Sequence, residues 1–158
     1  MPEDRSPAAP ERVLYTGTAT AEGGREGRAR SDDGALDVRL APPAEMGGRG
    51  EPGTNPEQLF AAGYAGCFGS SVAGVARRRR IEVGRVAITA RVGIGPLAGG
   101  AFGLTVELLA SLPDVDAATA TALVHEAHAV CPYSNATRGN VPVTLSVAAP
   151  EGSAAGSG

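Results

Sequence analysis

The segment TNPEQLFAAGYAGC, residues 54–67, limits the possible folds more than any other part of the chain. Asn55 can cap a helix, Pro56 suits the first helical position, Glu57 meets the positive helix end, and Gln58 can reach back to the cap. A helix therefore begins at Pro56. It either runs to the arginines Arg77 to Arg80, whose charges suit the negative helix end, or breaks near Gly63 and Gly66 and restarts. The small residues at 63, 66, 69 and 74 suit close packing against another backbone.

Around this helix the pattern changes to alternation. Val13, Tyr15 and Gly17 begin one alternating stretch, AEGGREGRA makes a glycine-rich turn, and Leu36, Val38 and Leu40 alternate after Asp33-Gly34. A small antiparallel sheet is predicted there, followed by the long Pro/Gly loop APPAEMGGRGEPGT. Val86 to Ile94 and Phe102 to Leu108 predict a hairpin about GPLAGGAFG. DVDAATATALVHEAHAV predicts a helix with an acidic N-cap that ends at Cys131-Pro132, and Val141 to Val147 predicts a last strand. The order is α+β, with one domain over residues 13–148 and flexible tails over 1–12 and 149–158.

Aromatic residues are only 4% of the chain, so Val, Leu, Ile and Ala are expected to build the core. A formal net charge of -3 disfavours binding to nucleic acid and to anionic membranes. Neither a secretion signal nor an 18-residue apolar run is visible, which leads to the expectation of a cytoplasmic protein with no membrane segment.

Cys67, in GYAGCFGSS, and Cys131, in AVCPYSNATRGN, are the two cysteines. In a reducing compartment such residues are usually buried thiols. A thiolate also attacks peroxide O–O bonds, and the resulting sulfenic acid condenses with a second thiol to a disulfide. Spacing alone favours the first reading. Arg25, in the glycine-rich turn, is a candidate cation for a thiolate, although an exposed turn charge is the commoner meaning. His125, His128 and Cys131 match no compact zinc motif, so no metal site is expected. Arg77 to Arg80 read as solvated helix-end cations.

GTNPEQLFAAGYAGCF, VGIGPLAGGAFGLTVEL and VCPYSNATRGNVPVTL resemble the organic hydroperoxide resistance family of the OsmC-like superfamily, over about residues 13 to 148. The resemblance implies an intertwined homodimer with central helices flanked by antiparallel-rich sheets. It also implies a cysteine peroxidase without a cofactor that reduces organic hydroperoxides, fatty-acid hydroperoxides included, and is recycled by dihydrolipoamide or a lipoylated protein. By the same resemblance Cys67 is the peroxidatic cysteine, Cys131 the resolving one, and Arg25 with Glu57 the pair that activates the thiolate. Phe60, Tyr64 and Phe68, near Cys67 in sequence, are candidate substrate contacts, with core packing the alternative for each. Pro132 reads as a helix stop that leaves the Cys131 sulfur at a frayed end. An OsmC-type peroxidase, or a thiol sensor or lipid-binding module without turnover, are the competing functions.

Overall fold

The structure is a computed structural model that describes residues 8–149. Most of the expected tails, residues 1–7 and 150–158, lie outside the described residues. The rest divides into two compact units that meet at the Asn55–Pro56 bond, so the span 13–148 comprises both.

The N-terminal unit is an antiparallel meander of β1 (Ala19–Glu22), β2 (Arg28–Ser31) and β3 (Asp37–Arg39). The glycine-rich turn between β1 and β2 contains a 3-10 turn, Gly24–Glu26. Between β2 and β3, Gly34 takes a φ of 74°, and Asp33 Oδ1 accepts hydrogen bonds from Ser31 Oγ at 2.6 Å and Ala35 N at 2.9 Å. Glycine suits that left-handed position because it has no Cβ.

The alternation at Val13 to Gly17 makes no strand. Val13, Leu14 and Tyr15 are 69%, 84% and 82% exposed. The register explains this: Ala19 pairs with Ser31, and continuing it backwards would set Gly17 against Asp33 and Tyr15 against Ala35, residues that turn away into β3. Without a ladder partner, alternation does not become a strand.

The C-terminal unit contains α1 (Pro56–Arg78), β4 (Ala87–Pro96), β5 (Phe102–Ser111), α2 (Ala117–Val130), α3 (Pro132–Thr137) and β6 (Val143–Val147). β4 and β5 form the expected hairpin, whereas β6 lies parallel to β5. A parallel pair needs a crossover, and α2 with α3 supplies it. Asp116 caps α2 as its acidic position suggests, accepting from Thr119 N at 2.8 Å.

α1 is unbroken, which decides between the two alternatives for that segment. At its end Arg80 N donates to Arg77 O and Ile81 N to Ala76 O, with Arg80 at a φ of 57°. This is a Schellman ending in which an arginine occupies the left-handed position that glycine usually takes. By length and composition α1 could cross a membrane, a property that a search for uninterrupted apolar runs overlooks. Its Tyr64, Phe68, Val72, Val75 and Ala76 instead pack into one core with Val106, Leu108 and Ala110 of β5 and Ala120, Leu123, Val124 and Ala127 of α2. Two of the largest fully buried side chains are thus the aromatics Tyr64 and Phe68, beyond the aliphatic core that composition suggested. Of the four glycines in α1, only Gly63 is closely approached: a Cβ there would lie 2.9 Å from the Tyr133 hydroxyl, while Gly66 has open space.

Candidate active site

Cys67 lies one turn after Tyr64 on α1, on the side of the helix that meets α2 and α3. Cys131 closes α2 and opens α3. Its N–H donates to Ala127 O at 2.8 Å and its carbonyl accepts from Asn135 N at 2.9 Å. The expected frayed end is therefore a fixed junction, because Pro132 ends one helix while occupying the first position of the next. Cys131 is fully buried and Cys67 half-buried, and both are free thiols.

The Cys131 thiol points at Cys67, with an Sγ–Sγ distance of 3.7 Å. A disulfide needs about 2.05 Å, so about 1.7 Å of approach separates this arrangement from a bond, within reach of side-chain rotation. Burial pushes the Cys67 thiol above its ordinary value of 9.0, the backbone N–H of Tyr133 pulls it down, and Cys131 pushes it up. Burial prevails.

Tyr133 was not singled out from sequence, although it follows the Cys-Pro pair directly. Its ring lies over Gly63, 6.3 Å from Phe60 and 5.7 Å from Tyr64 between centroids. Phe60 and Tyr64 meet edge to face at 6.2 Å. Among the sequence candidates for substrate contact, Tyr64 and Phe68 are 0% exposed core residues with no surface to offer in this chain, while Phe60 is half-buried.

A second layer holds α3 in place. Tyr64 Oη lies 2.8 Å from Ser134 Oγ and 3.1 Å from Thr137 Oγ1, Thr137 Oγ1 donates to the Ser134 carbonyl at 3.2 Å, and His128 Nδ1 lies 2.8 Å from Ser134 Oγ. Arg138 donates to the His128 carbonyl and, at 2.7 Å, to Asn135 Oδ1. Burial, with the charges of Arg138 and His125, holds His128 below its ordinary 6.5. The signal available in the sequence was the Ser134 and Thr137 spacing of three inside CPYSNATRGN, one face of a short helix.

Glu57 sits in the first turn of α1, ten residues before Cys67 and so about 15 Å away along the unbroken axis. Arg25 lies in the 3-10 turn of the N-terminal unit, half-buried. Arg77 to Arg80 end α1 as the sequence suggested, and Arg79 pairs with Glu126 of α2 at 2.7 Å.

A chain with this α+β order and this cysteine pair has the features of an OsmC-like protein, and the OsmC-like protein family model matches residues 48–146. An organic hydroperoxide resistance protein of Xanthomonas axonopodis pv. citri is 57% identical over 142 residues, 89% of this chain and 99% of that one. The crystal structure of an organic hydroperoxide resistance protein from Legionella pneumophila has a TM-score of 0.83 at 48% identity, covering 87% of this chain and all of that one. That of the Bacillus subtilis protein OhrB has a TM-score of 0.80 at 44% identity, covering 86% and 100%. The chain belongs to the organic hydroperoxide resistance family.

Proposed function

We propose that this protein serves in defence against organic hydroperoxides as a cysteine peroxidase that reduces them to alcohols. The observation that carries the reading is the 3.7 Å sulfur pair, with one thiol partly accessible and the other buried behind it. Cys67 attacks the peroxide: thiol and hydroperoxide become Cys67 sulfenic acid and an alcohol. Cys131 then displaces the sulfenic oxygen as water and forms the disulfide. A dihydrolipoyl dithiol, free or on a lipoylated protein, returns both thiols while becoming a cyclic disulfide. No resident cofactor or metal is required.

Burial of Cys67 opposes thiolate formation, so activation falls to a cation. Arg25 takes that role, with Glu57 accepting its guanidinium hydrogen bonds and fixing its orientation. The 15 Å spacing on one straight helix favours a homodimer in which Arg25 and Glu57 of one chain serve Cys67 and Cys131 of the other. The half-buried Phe60 and the outward part of Tyr133 supply apolar surface for an alkyl substrate. The expected setting is the cytoplasm, where lipoylated enzymes and reducing thiols are at hand.

One equivalent of an organic hydroperoxide should convert reduced protein to the Cys67–Cys131 disulfide, and reduced lipoamide should then support turnover. Absence of the disulfide overturns the peroxidase reading; a disulfide without turnover means a thiol sensor instead. Mixing Cys67→Ser chains with Arg25→Ala chains tests the arrangement across the dimer, since only that arrangement restores activity in the mixed species.

A further inference from the structure

The buried hydroxyls on α1 and α3 allow a proton count. Four hydrogen bonds link His128 to Ser134, Ser134 to Tyr64, Tyr64 to Thr137, and Thr137 to the Ser134 carbonyl. Each needs one hydrogen, and the three hydroxyls hold three. The fourth must be on His128 Nδ1.

One direction then satisfies every partner. His128 Nδ1–H donates to Ser134 Oγ, Ser134 donates to Tyr64 Oη, Tyr64 donates to Thr137 Oγ1, and Thr137 donates to the Ser134 carbonyl. Ser134 and Thr137 are buried and Tyr64 is fully so, which makes an unsatisfied member expensive. The chain starts on α2, enters α3 at Ser134, crosses to Tyr64 of α1 and returns to α3 at Thr137, so it ties α3 to both longer helices.

We propose that His128 is a positioning residue for Cys131 in disulfide formation, a role that rests on the thiol chemistry proposed above. The bonded face of α3 starts three residues after Cys131 and one after Tyr133, whose N–H acts on Cys67. Holding Ser134 therefore holds the main chain from which both the second sulfur and that N–H project. With the Nδ1 hydrogen gone, the Ser134 hydroxyl has two acceptors and one hydrogen, the direction of the chain is lost, and α3 is free to shift against α1. The Nδ1 hydrogen is present in the neutral tautomer and in the imidazolium alike, so the positioning survives protonation of the ring.

The step that His128 assists is self-balanced. Cys131–SH and Cys67–SOH become Cys67–S–S–Cys131 and water; the S–O bond breaks as the S–S bond forms, and the Cys131 proton leaves with the oxygen. An aromatic disulfide reagent reads the same closure without peroxide. Cys67 attacks it and releases one coloured thiolate, then Cys131 attacks the mixed disulfide and releases a second.

In His128→Leu the second release should slow about tenfold, the equivalent of one lost hydrogen bond, while the first, which feels α3 only through the Tyr133 N–H, changes by less than about threefold. His128→Asn places an amide N–H where Nδ1 was and should restore the second release to within about threefold of wild type. With hydroperoxide, His128→Leu should accumulate trappable Cys67 sulfenic acid. An unchanged second release in His128→Leu, or a tenfold loss in His128→Asn, overturns the proposal; the Asn arm decides by itself if the Leu variant does not fold. Normal aromatic-thiolate release with no oxidation by hydroperoxide would instead sink the peroxidase reading and leave the positioning role intact.

Discussion

Replacing Tyr64 by Phe removes one oxygen from the core of the C-terminal unit and leaves the ring in place. That oxygen lies 2.8 Å from Ser134 Oγ and 3.1 Å from Thr137 Oγ1, and Tyr64 is 0% exposed, so water does not replace it. Two hydrogen bonds at about 1 kcal/mol net each, with Ser134 left holding a hydrogen that has lost its acceptor, put the loss at about 2–3 kcal/mol. With a urea m-value of about 2 kcal/mol per molar, the unfolding midpoint should fall by about 1 M with no change in slope. The assay is urea unfolding of reduced protein followed by circular dichroism, at one protein concentration because assembly shifts apparent stability. Adding Thr137→Val should cost less in the Tyr64→Phe background than in wild type, since the shared bond is already gone. A midpoint shift below about 0.2 M would refute the reasoning, because two buried bonds of this kind cannot be removed at so small a cost.

Gly63→Ala places a methyl 2.9 Å from the Tyr133 hydroxyl, against a ring that also packs on Phe60 and Tyr64; moving that ring costs about 1–3 kcal/mol, of which alanine's helix propensity offsets about 1 kcal/mol, so thermal melts should show a net loss of up to about 2 kcal/mol and the second thiolate release should slow. Arg80→Gly relieves the left-handed arginine at the end of α1 and should raise Tm by a few degrees, for a gain of about 1 kcal/mol; a fall in Tm would contradict the Schellman reading. Asp116→Ala removes the α2 cap and should cost about 1 kcal/mol, with Asp116→Asn retaining most of the stability in thermal melts. The depressed His128 contributes stability that is complete above its ordinary 6.5 and lost as pH falls through its lower folded value; that limb should be missing from the pH–stability profile of His128→Asn.

The helix start at Asn55–Pro56, the Asp116 cap, the hairpin and the last strand were legible because each depends on neighbours in sequence: a cap bonds three residues on, and alternation reports one buried face. The motifs around both cysteines likewise pointed to the family. Local pattern misled at Val13 to Gly17, where the alternation was real but its partner positions were occupied by a turn. It missed α3, because six residues that begin with a proline are too few to show a helical period.

The sequence by itself determined which residues are candidates for the chemistry: two thiols in a chain sparing with cysteine, an arginine in a glycine-rich turn, and a glutamate at a helix start. Only the tertiary structure decided that residues 64 positions apart bring their sulfurs to 3.7 Å, that Cys131 is the buried member, and that its helix is tied down by His128, Ser134, Tyr64 and Thr137. The physical reason is that reactivity belongs to a side chain, while distance, burial and hydrogen-bond direction belong to the packing of helices remote from one another along the chain.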